Sequence, residues 1–282
     1  MQIPAQVVQT YYNRVKSFAD DAAKQYMRLI EQLEQANSLM EQSELISQLV
    51  SFADSLLSIY GDAAAQTAAD LYVQVAELNG ILVGNVPIAD TASREELMGE
   101  IENLIVANTR NGVLDKEALK KAMMAMMQVM VKRQAGQTIA EQAVNDNKGS
   151  SGKGNSKRKV KFARVPQGTE TCAFCIMLAS RGFVYATRGS AGQFNHYHRN
   201  CDCIVVPGFG DEVSIEGYDL KKWEDLYYDN RAEDDTGKGS TVNANETLNN
   251  IRRAVYPDYK DRRNRLRREE YARKKNLSER TT

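Results

Sequence analysis

The sequence predicts an α+β fold that is mostly α, with a bundle of long helices first, a small α/β module built around cysteines second, and a basic helix last. Three features predict this order. Apolar residues recur at steps of three or four through much of residues 1–146, which is the period of an amphipathic helix. A stretch rich in Gly, Ser and Lys follows at 147–159, typical of a flexible basic linker. All four cysteines and both histidines then lie within residues 172–203.

The first helix is predicted over residues 5–36. Its apolar stripe consists of Val8, Tyr11, Val15, Phe18, Ala22, Tyr26 and Leu29. Such a stripe covers one face of a helix, so we expect the helix to pack in a bundle. A coiled-coil contact between copies would use the same face, and a homo-oligomer joined through the N-terminal helices is therefore the alternative.

Three more helices are predicted in this first domain, each after a residue that can cap a helix start: Ser38, Ser93 and Asp115. Glu41 and Glu96 stand three residues after the two serines, which is the spacing of a capping box. The second helix is expected to continue through an alanine-rich stretch to Leu78. The fourth carries a cluster of methionines at 123–130, which we expect to pack in the core.

Charge is divided unevenly along the chain, although the net formal charge is zero. Residues 1–147 hold 11 Lys and Arg against 19 Asp and Glu, a charge of −8, and the remainder holds 26 against 18, a charge of +8. This asymmetry favours separate modules with different partners. No apolar run approaches the roughly 20 residues needed to span a bilayer, and no basic-then-apolar leader begins the chain. We therefore expect a protein made and kept in a cytoplasm, or in a particle assembled there, without membrane contact.

The segment 160–230 is predicted to form the small α/β module. Residues 160–165 alternate apolar and polar side chains, as a strand does, and a Pro-Gln-Gly turn follows. The remaining predicted elements are a short helix at 175–180, strands at 183–185 and 203–207, and a helix at 221–230.

Cysteine spacing within the module predicts a metal site. The pattern is C-x2-C followed by H-x2-C-x-C, and the five candidate ligands are Cys172, Cys175, His198, Cys201 and Cys203. Two cysteines three apart can turn their sulfurs toward one point, and cysteines two apart on an extended segment share a face. Zn²⁺ accepts four thiolates, or three thiolates and one imidazole, so one of the five candidates is left out. A coordination sphere filled by four protein ligands leaves no place for water. We therefore expect a structural zinc of the knuckle type and assign no catalytic residue.

Other interpretations of the cysteines stay open. Two disulfides are disfavoured because Cys201 and Cys203 are too close for an easy bridge, and because a reducing compartment is expected. Redox chemistry at the C-x2-C pair lacks a surrounding thioredoxin-like βαβ pattern. Unliganded thiols, or a degenerate site that has lost its metal, are the remaining alternatives.

The last segment, 231–282, begins with a polar stretch and continues with a helix that we expect Asn245 to cap. Its end, from residue 258, holds ten Lys and Arg against five Asp and Glu. A solvated tail is one interpretation, and an arm that contacts DNA phosphates or an acidic partner is the other.

Three short motifs resemble those of phage head morphogenesis proteins of the Mu F type, also called minor capsid proteins. They are Glu170-Thr171-Cys172-Ala173-Phe174-Cys175, Leu178-Ala179-Ser180-Arg181-Gly182 and His198-Arg199-Asn200-Cys201-Asp202-Cys203. Many family members end the last motif as H-P-x-C-R-C. Here Arg199 stands in the Pro place and Asp202 in the Arg place, which resembles the variant with an added C-x2-C in phages of actinobacteria.

The resemblance implies a virion component in the phage head, assembled in the host cytoplasm and present in few copies. It implies association with the portal protein and with capsid or scaffold proteins, possible contact with packaged DNA, and a structural rather than an enzymatic role. Two alternatives come from the residues. A treble-clef His-Asn-His nuclease would use His196, His198 and Asn200, but only two histidines are available. A capsid-processing cysteine protease would need a thiolate that is not held by metal.

Overall fold

The computed structural model describes residues 1–36, 42–149, 160–168, 171–186, 203–235, 240–256 and 258. The chain divides into two compact units. The first unit comprises Met1–Thr169 and Arg181–Tyr218, and the second comprises Glu170–Ser180 and Asp219–Thr282. The predicted class is confirmed, because helices dominate and the sheets among the described residues have two strands each. The predicted module at 160–230 contributes residues to both units.

Long helices make up most of the first unit. They are α1 (Ala5–Ala36), α2 (Gln42–Leu56), α3 (Asp62–Glu77), α4 (Arg94–Ala107) and α5 (Lys116–Gly149). A π-helical turn, Leu57–Gly61, joins α2 directly to α3. The predicted continuation of the second helix through the alanine-rich stretch is therefore confirmed, with a π-turn inside it. The predicted start at Ser38 lies outside the described residues.

Helix α1 has the predicted bounds. Val8, Tyr11, Val15, Ala22 and Tyr26 are buried, while Phe18 and Leu29 are half-buried. The helix packs mainly on α5 and also on α3, and the Tyr26 hydroxyl donates to the Leu49 carbonyl of α2 at 3.1 Å. Most of the apolar stripe is therefore covered within the chain itself. A homo-oligomer through this helix stays a prediction.

Two of the predicted helix caps are observed. The Glu96 amide donates to Ser93 Oγ at 3.2 Å at the start of α4, and the Ala118 amide donates to Asp115 Oδ1 at 3.0 Å at the start of α5. Between these helices, β2 (Thr109–Arg110) and β3 (Val113–Leu114) form a hairpin. Its turn is Asn111-Gly112, and both residues have positive φ, as a two-residue turn of this kind requires.

Helix α5 is the central element of the first unit. Its methionines Met123, Met126, Met127 and Met130 are buried, as the sequence predicts. Gln134 Nε2 donates to Asp62 Oδ1 at 2.8 Å and to the Ala89 carbonyl at 2.9 Å. The Ala89 amide in turn donates to Thr138 Oγ1 at 3.0 Å. The two buried bonds at Ala89 attach the connector between α3 and α4 to the middle of α5, and the part-buried bond to Asp62 joins α5 to the start of α3.

A strand pair completes the first unit. β4 (Val160–Val165) pairs antiparallel with β5 (Ile204–Phe209) in the register Val160↔Phe209 to Val165↔Ile204. β5 contacts α3 and α5, and nearly every residue of the two strands is buried. A short parallel pair joins β1 (Gln2–Ile3) to β6 (Ser214–Ile215). The predicted strand at 183–185 is reduced to a single bridge between Tyr185 and Phe162.

The second unit contains α6 (Ala173–Ala179), α7 (Leu220–Tyr228), α8 (Ala244–Val255) and the hairpin β7 (Glu233–Asp235)–β8 (Ser240–Val242). Its core comprises Ala173, Ile176, Tyr227 and Ile251, with Trp223 packed against it. The predicted cap of the last helix is wrong by two residues. Asn243 caps α8 by accepting from the Glu246 amide at 2.9 Å, because Asn243 and Glu246 have the spacing of a capping pair.

Among the residues with described positions, no helix is long and apolar enough to cross a membrane.

Candidate functional site

The structure places three of the five predicted metal ligands. Cys172 and Cys175 lie at the start of α6 in the second unit, and Cys203 lies directly before β5 in the first. His198 and Cys201 lie outside the described residues, as do the residues of the predicted nuclease motif. The three placed cysteines are not joined to one another by disulfides.

Cys172 and Cys175 are brought together by the first turn of α6. Cys172 has extended backbone angles, and its Sγ accepts the Cys175 amide at 3.2 Å. The sulfur occupies the capping position that Ser, Thr, Asp or Asn usually fills. A thiolate strengthens such a bond, because an ionised acceptor binds N–H groups more strongly than a neutral one. The predicted proximity of the two sulfur-bearing side chains is therefore consistent with ligation of a soft metal ion by this turn.

Packing holds this turn in place. Cys175 is fully buried, Cys172 is half-buried, and Ala173 and Ile176 face the core of the second unit. The Tyr256 hydroxyl, just after α8, donates to the Thr171 carbonyl at 3.0 Å. Contacts on both sides of Cys172 thus fix the backbone that carries the sulfurs.

Cys203 has a different environment, dominated by a buried arginine. Arg164 Nη2 donates to Cys203 Sγ at 2.7 Å, and Arg164 Nε donates to the same atom at 3.2 Å. Both residues are 1% exposed. Arg164 pairs with Val205 in the strand register, so Cys203 is its diagonal neighbour on the same face, within reach of a long side chain.

The charge of the Arg164 guanidinium affects the pKa values of two buried tyrosines, Tyr185 and Tyr11. Burial raises the pKa of Tyr185 to about 12, and the charges of Arg181 and Arg164 oppose that rise. Burial also raises the pKa of Tyr11, again opposed by Arg164. The cation therefore lies in the interior of the first unit, among side chains of α1, β4 and the Tyr185 bridge. Transfer of a cation from water to such a site costs several kcal/mol unless anionic or polar partners offset it.

The donor set fits a soft metal only if the candidates outside the described residues take part. Within the described residues, no group of three or more His, Cys, Asp or Glu side chains is arranged to hold a metal ion. The sulfurs of the half-buried Cys172 and the buried Cys203 each accept from N–H donors, as zinc thiolates commonly do in proteins. The zinc site thus stays a prediction, with at least one of His198 and Cys201 required to complete a set of four ligands.

Arg164 is the functional candidate that sequence reasoning missed. The two-residue period of β4 assigns Val160, Phe162 and Arg164 to one face, and the alternation predicted a strand without singling out Arg164. One feature of the sequence could have indicated that Arg164 is buried. Ala163 and Val165, on the opposite face of the strand, are apolar rather than polar, which indicates a strand buried on both faces.

Comparison with known proteins gives one family. A family model described as VG15 protein matches residues 2–230. The Gene 15 protein of Mycobacterium phage D29 is 30% identical over 128 residues, covering 34% of this chain and 46% of the relative. The Gene 15 protein of Mycobacterium phage L5 is 32% identical over 136 residues, covering 33% and 46%. The chain thus spans about half the length of these curated relatives. No solved structure matches.

Proposed function

The chain belongs to the VG15 protein family, and on this premise we propose that it is a bacteriophage virion protein that acts in head assembly, as a minor capsid protein. The family match carries the proposal, because it covers the first unit from residue 2 onward, all four cysteines, and the part of the second unit that precedes residue 231. The two curated relatives are mycobacteriophage proteins. The Mu F-type motifs around Cys172, Cys175 and Cys203 supply the narrower assignment to head assembly.

The proposed partners are the portal protein and the capsid or scaffold proteins, contacted through the first unit. Long helices suit this role, since α1 has 32 residues and α5 has 34, lengths of about 50 Å at 1.5 Å per residue. Apolar side chains also reach solvent on this unit. Leu82, Val106 and Val113 are 85%, 74% and 71% exposed, and we propose them as contact residues for these partners.

A structural zinc is the proposed resident metal, held by four of the five candidates Cys172, Cys175, His198, Cys201 and Cys203. When bound, it would supply folding free energy to the segments that carry its ligands. With four protein ligands it would have no open position for substrate, which supports a non-enzymatic role.

Contact with packaged DNA is proposed for the basic end of the chain, residues 258–282. Ten Lys and Arg against five Asp and Glu give this segment a charge of +5, which suits sequence-independent binding to phosphates.

The test of the proposed function is a phage genome with the reading frame interrupted by a stop codon, compared with one carrying a synonymous change at the same codon. We expect the stop variant to yield aberrant or DNA-empty heads in electron micrographs, and the synonymous control to yield normal heads. Normal, infectious particles from the stop variant would contradict the proposal. Mg²⁺-dependent plasmid nicking that is lost in His196→Ala would instead favour the nuclease alternative.

A further inference from the structure

The connector between α3 and α4 presents apolar side chains and unpaired backbone groups on the first unit. We infer that residues 82–88, the docking segment, pair as a strand with an extended segment of another protein, which is apolar in its middle and carries Lys or Arg at both ends. The identity of that protein rests on the proposed function, which names portal, capsid or scaffold proteins as partners. The docking segment itself stands on contacts within the first unit alone.

The backbone of the docking segment is the first support. Residues 81–93 contain no helix, strand, turn or bend, and Pro87 favours an extended conformation at Val86 before it. Within the described part of the chain, no hydrogen bond joins the backbone of residues 82–88 to another group. Because Pro87 has no N–H, the seven residues present six N–H and seven C=O groups without a partner. Such a row of unpaired groups is the template that strand addition uses.

Both ends of the docking segment are fixed to helices of the first unit. Before it, the Ile81 amide donates to the Ala76 carbonyl of α3 at 3.0 Å. After it, two side chains of α5 bind the amide and the carbonyl of Ala89 at 3.0 and 2.9 Å. The side chain of Val86, which lies between these points in the sequence, is buried. A segment held in this way loses little conformational entropy when a partner pairs with it.

Apolar side chains follow one another along the same run. Leu82 is 85% exposed, Leu78 is 50% exposed and Ile88 is 38% exposed, while Ile81 and Val83 are half-buried. Single apolar residues are normal on a protein surface, whereas contiguous ones mark contact sites. A strand paired with this backbone would therefore also cover apolar surface.

Charge decides between a strand of another protein and a second copy of this chain. Residues 78–89 carry no charged side chain, and the exposed carboxylates of Glu77 and Asp90 bound this run. Neither carboxylate forms an ion pair with a described residue. Full-length antiparallel pairing of two copies would set Glu77 of one copy opposite Asp90 of the other, and like charges in that position are destabilising. A partner segment with Lys or Arg at both ends complements both carboxylates instead.

The experiment uses the purified full chain and the synthetic peptide Lys-Val-Thr-Val-Thr-Val-Thr-Val-Lys with blocked ends. This probe is sufficient because main-chain hydrogen bonds supply the affinity in strand addition. Fluorescence anisotropy measures binding, and hydrogen exchange read by mass spectrometry locates the amides that become protected. We expect protection at residues 82–88, and weaker binding of a matched peptide with Glu in place of both Lys residues.

Three variants separate the apolar contact from the charges. Leu82→Ser should bind the Lys-ended peptide about 10-fold more weakly or worse, because it removes a large apolar contact, and its 85% exposure keeps the change out of the core. Ile59→Ser is the matched control, since Ile59 is 62% exposed and lies outside the connector; it should bind as wild type does. Glu77→Lys combined with Asp90→Lys should reverse the preference between the two peptides.

Four results overturn the inference. They are no protection of residues 82–88 by either peptide, equal affinity of the wild type for both peptides, and unchanged binding in Leu82→Ser. The fourth is a wild-type dimer in analytical ultracentrifugation that is lost in Leu82→Ser, since a second copy would then occupy the segment.

Failure of the proposed function is recognised separately. Absence of the protein from phage heads removes the named partners but leaves peptide binding intact. Absence of peptide binding removes the docking segment but leaves a role in head assembly standing.

Discussion

Asn147 near the end of α5 offers a sharp test of the observed division into units, because its side chain joins α5 to β4. Asn147 Nδ2 donates to the Val160 carbonyl at 2.9 Å, and the Val160 amide donates to Asn147 Oδ1 at 3.0 Å. The sequence places a flexible linker at this point, whereas the structure groups β4 with the helices. The substitution Asn147→Ala removes both bonds without adding bulk.

The expected loss follows from the two bonds. Each neutral hydrogen bond contributes about 1 kcal/mol net, and Val160 is buried, so the loss of both should cost about 2 kcal/mol. Asn147→Asp keeps the acceptor but sets a carboxylate oxygen against the Val160 carbonyl oxygen, so we expect it to recover none of this loss. For a unit of about 200 residues, 2 kcal/mol corresponds to a fall in Tm of roughly 4–8 °C.

The assay exploits the single tryptophan of the chain. Trp223 packs in the core of the second unit, so its fluorescence reports that unit, while circular dichroism at 222 nm is dominated by the long helices of the first. In urea titrations of Asn147→Ala, the dichroism transition should move to lower urea and the fluorescence transition should stay in place. No change in the dichroism midpoint would refute the role given to Asn147, and equal movement of both transitions would refute the division into units.

Three further predictions concern the second unit, the tyrosines and the basic end. Ile251→Ala should destabilise the second unit by about 2–5 kcal/mol, the usual cost of such a core truncation, seen as an earlier Trp223 fluorescence transition with unchanged helix melting. The stability of the first unit should fall as pH rises from 10 to 12. Burial raises the pKa of Tyr185 from 10.0 to about 12, so the Tyr185 hydroxyl loses its proton at lower pH in the unfolded chain than in the folded one. If the stability of a Tyr185→Phe chain falls equally steeply over that pH range, this linkage is disproved. Removal of residues 258–282 should weaken DNA binding and flatten its salt dependence by about 0.9 in the log–log slope for each lost phosphate contact, and full-length protein without DNA affinity at low salt would end the DNA proposal.

Much of the helical architecture follows from local sequence. The stripe from Val8 to Tyr26 predicts α1 with its observed bounds, because one-sided burial imposes the helical period on apolar positions. Ser93 and Asp115 predict the starts of α4 and α5, since a side-chain acceptor satisfies the first amides of a helix. The alternating pattern at Val160–Val165 predicts β4.

Features that depend on distant residues could not be predicted. The pairing of β1 with β6 joins Ile3 to Ile215, and neither segment is long enough to show a period. The predicted polar stretch at the start of the last segment contains the short hairpin of β7 and β8, whose strands are likewise too short to show a period. The split of the cysteine module between two units depends on which core each segment packs against, and no local pattern encodes that choice.

The candidate site also has one part that local sequence predicts and one part that depends on distant residues. The C-x2-C spacing predicts that Cys172 and Cys175 share one turn, and the bond from the Cys175 amide to the Cys172 sulfur agrees with it. The contact between Arg164 and Cys203 depends on the register of β4 against β5, which a sequence without its partner strand does not specify. Sequence reasoning therefore found the sulfurs and missed the cation beside one of them.

The proposed role in the phage head is tested most directly by quantitative mass spectrometry of purified particles, with DNA-filled heads separated from tails and from host debris. We predict that peptides from both units are present in the head fraction, at a fixed ratio well below that of the major capsid protein. Absence of these peptides from heads, with the protein recovered only from the infected-cell lysate, would contradict it.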